Sequence, residues 1–229
     1  MKRRRCGALL IALMTSCCVM AAAPGNHAYP SMVRLAGAPS LIVSREPISH
    51  RQWQHCVRSG GCHGYRPERQ GWSLDSPVVN VNLDDALAYA QWLGHRQGRR
   101  YRLPYEDEWL HIALGAGGQR FPWGDDAPRG RANCLDCGSP WDGRGTHRSG
   151  RLPANAAGLF DVAGNVAQWA VARPGLAARC SSAHEAAIVG ASWADPSRFL
   201  DPRESTCLAR ILRDDTIGFR LVSDEATRP

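Results

Sequence analysis

The stretch GLFDVAGNVAQWA, Gly158 to Ala170, sets an acid, two glycines and an amide within a few positions of one another and closes on a tryptophan. Residues of this kind form turns rather than regular elements. The reading turns on what such a loop holds.

The loop ends a long segment, residues 115–165, rich in Gly, Pro, Asp, Asn and Arg and poor in apolar runs. Long loops are expected there, and ordering them takes cross-links or ions. Beyond it come short strand-like pieces, AAIVGASW at 186–193, CLARIL at 207–212 and IGFRLV at 217–222, with turn residues between. Before it, LIVSREPI at 41–48 reads as a strand, and Ser49-His50-Arg51-Gln52 is a capping box that opens a helix. Trp53, Cys56 and Val57 share one face of that helix, and Gly60-Gly61 ends it.

A second helix is capped by Asn82, carries Asp84 and Asp85 in its positive first turn, and repeats Leu83, Ala86, Leu87, Ala90 and Leu93 at helical spacing up to about Gly98. A third follows Pro104, with Trp109, Ile112 and Ala113 inward. Its Glu106, Asp107 and Glu108 point in three directions around the helix, so they cap it and do not form an acid–base pair. No fixed-period repeat appears. The order of elements predicts an α+β domain of two to three helices, short antiparallel strands and long loops, with tryptophans as core anchors.

The first residues, MKRRRCGALLIALMTSCCVMAAAPG, have a cationic start, a short apolar run and then small residues. That is an export signal, expected to span 1–21 with cleavage after Ala21; a lipoprotein cleavage at MTSC, leaving a membrane anchor on Cys17, is the alternative. Residues 22–40 are then a linker and 41–229 one domain, exported and expected to be periplasmic. The signal takes four of the 28 cations, which leaves 24 against 21 acids and lowers the net charge from +7 to +3. No basic block remains to bind nucleic acid, and no later apolar run is long enough to span a membrane.

Six cysteines remain: Cys56, Cys62, Cys134, Cys137, Cys180 and Cys207. An even count in an exported chain suggests three disulfides, and of the 15 connectivities sequence proximity favours 56–62 and 134–137, leaving 180–207. Cys134-Leu-Asp-Cys137 lacks the second ligand pair of a zinc site and the flanking βαβ pattern of a redox motif.

PVVNVNLDDALAYAQWLG, RYRLPYEDEWLHIALGAG, FPWGDD, RANCLDCGSPWDGRGTHRSG, PANAAGLFDVAGNVAQWA, VGASW and IGFRLV stand in that order. Together they resemble the formylglycine-generating, or sulfatase-modifying-factor, superfamily, from about Ile42 to Val222. The resemblance implies a fold with little regular secondary structure, related to C-type lectins and usually stabilised by calcium. It also interprets the opening loop. Asp161, Val162, Gly164, Val166 and Gln168 match the family's second calcium loop, and Asn133, Asp142 and the carbonyls of Cys134 and Arg144 match its first. Where the family has a glutamate this chain has Gln168, which keeps an oxygen but loses a full charge. The second site is therefore expected to be weak or empty, with Asp161 capping turn amides and Asn165 supporting the loop.

Aerobic sulfatase activators hold Cu(I) through two cysteines shortly after a GGS-aromatic motif. Here that motif is Gly190-Ala191-Ser192-Trp193, and Asp195 and about Leu200 stand at the thiol positions, so copper is not expected. Cys207 lies further on and is a single thiol. His50 and His55 are five apart and the other histidines are dispersed, which gives no iron triad. There is no GxSxG elbow. Arg210 and Arg220 fit either ion-paired structure or an anion in the groove. The resulting expectation is an exported binding or accessory module whose partner is a protein or small molecule; the alternative is a non-copper oxidoreductase of the same superfamily, of nonheme-iron or metabolite-maturation type.

Overall fold

The computed structural model describes residues 28–37, 41–63, 73–177, 179–180 and 182–224. The expected signal, Cys17 and the chain after residue 224 lie outside the described residues. Strands β1 (Met32–Arg34), β2 (Leu41–Ser44) and β7 (Val222–Asp224) form an antiparallel sheet with β2 in the middle, Val33 facing Val43 and Val43 facing Val222. A second sheet has the order β5 (Ser205–Ala209), β4 (Glu185–Val189), β3 (Ala167–Ala170) and β6 (Ile217–Gly218), antiparallel except for the β3–β6 pair.

Helix α1 (His50–Arg58) begins at the expected box: Ser49 Oγ accepts from the Gln52 amide and Gln52 Oε1 from the Ser49 amide. Helix α2 (Leu83–Gln97) starts with the same reciprocal pair, Asn82 and Asp85, and stops at Gly98 in the left-handed conformation. In α3 (Glu106–Leu114), Glu108 reaches back to the Tyr105 amide. Glu108 also takes a two-pronged contact from Arg102 at 2.7 and 2.8 Å and a third from Arg173. Both arginines lie over the Tyr105 ring, at 4.1 and 4.3 Å. The acidic turn is therefore a cap and a clamp, as expected of first-turn carboxylates.

Three cores follow. Trp53, Tyr89, Leu93, Trp169 and Phe219 pack α1 and α2 onto the second sheet. Leu41, Val43, Trp109, Ile112, Val189 and Val222 join the first sheet to α3 and β4. A small third core, Phe121, Cys134, Cys137, Ala163 and Leu200, sits among the loops. Between residues 115 and 166 there is no helix or strand.

Four expectations are corrected. The run 41–48 pairs only as far as Ser44, because Arg45 turns to bond Ser31 and Phe160. The run 217–222 is split between two sheets. Leu87 lies on the flank of α2 and is 37 % exposed. The linker 22–40 contains β1, and Leu35 within it is buried.

Candidate functional site

Three loops meet on Asn165. Its amide donates to the Asn133 carbonyl at 2.8 Å, its carbonyl accepts from the Trp193 amide at 3.1 Å, and its side chain bonds both the amide and the carbonyl of His147. Gly164 N–H donates to the Gly190 carbonyl at 2.6 Å. At that approach a Cβ on Gly164 would lie 2.7 Å from the Asn133 carbonyl oxygen, and one on Gly190 would lie 2.9 Å from that of Val162. Both glycines have positive φ, so two backbones pass where no side chain fits. The Gly158–Ala170 loop thus holds its neighbours, and Asn165 supports it as expected.

In the first loop, Asn133 Oδ1 and Asp142 Oδ1 lie 3.1 and 2.5 Å from one hydroxyl, Ser139 Oγ. A hydroxyl has one proton and cannot serve both acceptors at once. Two oxygens, one of them anionic, therefore converge on one hydroxyl that can donate to only one of them, and such an oxygen pair suits a hard cation. Asp142 also accepts from the amides of Gly138 and Ser139, which fixes the turn. Cys134 is disulfide-bonded, so only its carbonyl is a candidate ligand; Arg144 N–H donates to the Trp141 carbonyl within the same turn. Ser139 escaped notice in the sequence, although its three-residue lead over Asp142 is a capping spacing.

The second loop is arranged differently. Gln168 Oε1 accepts from Arg220 Nε at 2.7 Å, and Gln168 Nε2 donates to the Asp161 carbonyl at 2.9 Å. Arg220 Nη2 donates to the Phe160 and Asp161 carbonyls and Nη1 to that of Ser44. Arg220 is fully buried; burial pushes its guanidinium down to about 10, against the opposing pull of Asp161 and Glu46, so it stays charged at neutral pH. Both amide atoms of Gln168 and the Asp161 carbonyl are thus committed to an internal cation, and a calcium ion does not fit beside it. The Asp161 carboxylate does not cap backbone amides as expected: it accepts from Asn165 Nδ2 at 3.2 Å and faces His147 Nε2 at 3.8 Å. Of the two C-terminal arginines, Arg220 is therefore structural, and Arg210 pairs with Asp84.

Beside Gly190-Ala191 an open groove of about 210 Å³ runs over the second sheet. Asp195 and Glu204 supply charge, Thr206 and Thr216 hydroxyls, and Ile188 and Phe199 apolar surface. Asp195 Oδ2 accepts from the amide and hydroxyl of Ser192 at 2.7 and 2.6 Å. Leu200 is completely buried in the third core with Cys134 and Cys137. All six described cysteines are paired, 56–62, 134–137 and 180–207, in the expected connectivity. Among the described residues no three side chains of His, Cys, Asp or Glu converge as a metal site.

The model of the sulfatase-modifying factor enzyme 1-like domain matches residues 23–225. The chain belongs to the sulfatase-modifying factor family. It is 37 % identical over 150 residues to the formylglycine-generating enzyme of Thermomonospora curvata, covering 58 % of this chain and 46 % of that one. It is 31 % identical over 202 residues to the inactive C-alpha-formylglycine-generating enzyme 2 of Bos taurus, covering 80 % and 60 %. This family member thus spans about half the length of the curated relatives it matches. Its fold is shared with PvdO from Pseudomonas aeruginosa, with TM-score 0.65, 22 % identity and coverage of 86 % and 91 %. It is shared also with Treponema denticola variable protein 1, with TM-score 0.66, 18 % identity and coverage of 85 % and 92 %.

Proposed function

We propose that this family member binds a ligand or partner protein at the Gly190–Asp195 groove and does not oxidise cysteine. The observation that carries this reading is the chemistry at the two expected thiol positions. Asp195 is a hard oxygen donor already bonded to Ser192, and Leu200 is buried hydrocarbon. Neither suits Cu(I), which selects soft thiolates, and the described cysteines are consumed in disulfides. The Bos taurus relative named inactive, which aligns with more of this chain than the Thermomonospora enzyme does, supports the same reading. Three disulfides and the N-terminal sequence support export to an oxidising compartment such as the periplasm.

The test is incubation of the mature chain, with copper and oxygen, with a sulfatase-type cysteine peptide, followed by mass spectrometry. The expected result is unchanged peptide; an aldehyde product overturns the proposal. Calcium belongs to the same reading, at the first loop only, where Asn133, Asp142 and the carbonyls of Cys134 and Arg144 would hold it and its charge would tie the loop together. Chelation is then expected to lower the melting temperature of the parent chain and to leave an Asp142→Ala variant unchanged.

A further inference from the structure

Strand β5 closes one side of the second sheet, and among the described residues no strand pairs with its outer edge. Edge strands are usually kept short, charged or interrupted by proline, because an open edge recruits another strand. β5 has none of these guards. With β4 it is the longest described strand, and its residues are Ser, Thr, Cys, Leu and Ala.

The register shows which backbone groups face outward. The Arg210 amide donates to the carbonyl of His184, directly opposite it, at 2.9 Å. Bonded and non-bonded pairs alternate along an antiparallel ladder, so Thr206 and Leu208 bond β4, while Ser205, Cys207 and Ala209 turn their backbone groups away from it. These three outward amides have no acceptor among the described residues. The Ser205 carbonyl takes one contact from Arg179 Nη1 at 3.4 Å and the Ala209 carbonyl one from the Leu212 amide, and a carbonyl can accept two. Cys180, joined to Cys207, packs with Ala187 and Val189 on the face opposite the groove.

The two ends of the strand carry opposite charge. Glu204, at the margin of the groove, is exposed, and its carboxylate makes no hydrogen bond or ion pair among the described residues. Arg210, six positions on and therefore on the same face, meets Asp84 through one nitrogen only. When two copies of β5 lie antiparallel about a two-fold axis at Cys207, Ser205 of each stands opposite Ala209 of the other, and Glu204 opposite Arg210. No other centre pairs the whole strand. Ile211, 73 % exposed, and Leu212 follow directly and add apolar area beside it.

We propose that β5 pairs with β5 of a second copy in this register, making a homodimer in which the two four-stranded sheets run on as one. One register completes every outward amide and also sets each acid against a base, and this self-complementarity selects a second copy over an unrelated strand. Opposed residues share a face, so both Gly190–Asp195 grooves open on the same side of the dimer.

The experiment is sedimentation equilibrium of the mature chain, and the parent is expected to dimerise at micromolar concentration. Ser205→Pro removes an outward amide at the first position of the strand, where proline leaves the β4 pairing intact, and is expected to be monomeric. Glu204→Arg and Arg210→Glu each set like charges face to face and should weaken self-association about tenfold or more. An equimolar mixture of these two variants restores both pairs and should dimerise as the parent does, a rescue that a merely structural role for either residue does not give. Circular dichroism of each variant verifies the fold, and Ser205→Pro with Glu204→Arg decides the matter should Arg210→Glu, set beside Asp84, unfold. A parent that stays monomeric at high micromolar concentration, a dimer unmoved by Ser205→Pro, or folded charge variants that fail to associate with each other overturns the proposal. No ligand enters the measurement, so this interface and the groove stand or fall independently.

Discussion

At the scale of single residues, Arg220 does the work that an external cation would otherwise do. Four hydrogen bonds from its guanidinium reach Gln168 and three backbone carbonyls, and truncation strands those acceptors in the interior. Arg220→Met is expected to lose about 3 kcal/mol in denaturant unfolding. Gln168→Glu sets a carboxylate against the Arg220 guanidinium and loses the donation to the Asp161 carbonyl, so the variant is expected to show no calcium-dependent rise in melting temperature at the second loop. A second residue sets the acid limit. His50 is buried at the start of α1, and burial pushes its imidazole down to about 4 from the ordinary 6.5. The folded state thus resists a proton that the unfolded chain accepts. Stability is complete above about pH 6.5, declines as pH falls from there towards 4, and has then lost on the order of 3 kcal/mol. His50→Gln should flatten that part of a pH–stability curve. Ala191 carries a φ of 52° where the family motif has glycine. Ala191→Gly is expected to be neutral or stabilising by up to about 1 kcal/mol.

At the scale of elements, what was legible in the sequence was what is encoded locally. Ser49 with Gln52 and Asn82 with Asp85 are i, i+3 reciprocal caps, so three or four letters fixed each helix start to the residue. Asn82→Ala should cost about 1 kcal/mol, read by thermal or denaturant unfolding, because both halves of the box fail together. Strand ends were not legible, since pairing depends on distant partners. IGFRLV reads as one strand, yet Ile217-Gly218 pairs with β3 and Val222 with β2. Arg220, between them, turns inward to the Gln168 loop. Strand β3 was hidden because Gln168 was read only as a loop ligand, although its backbone pairs with Val189 and Gly218. The calcium loops show the same divide. Residue types named Asn133, Asp142, Asp161 and Gln168, but whether each oxygen points to a shared hydroxyl or to an arginine is a tertiary fact.

At the scale of the whole molecule, the chain runs from residue 115 to residue 166 without a helix or strand, and covalent links and small loop cores supply the order. Removing the 180–207 disulfide by paired serine substitution should cost about 3.6 kcal/mol and removing 56–62 about 2.4, on the chain-entropy model. Guanidinium midpoints of the two variants test that ranking. The 134–137 link acts more locally. Leu135 N–H donates to the Asp195 carbonyl and Asp136 accepts from the Ser197 amide, so its reduction should loosen the groove before the cores.

The central position of β2 has one further consequence. One neighbour, residues 32–34, lies just before it in sequence and the other, residues 222–224, nearly 180 residues after it. Half of its pairing therefore waits until residues 222–224 have emerged. A nascent chain that stops short of residue 222 holds a hydrophobic strand with one edge open, and residues 222–224 close it. A variant truncated before Val222 should therefore yield aggregates rather than a slightly shorter native protein.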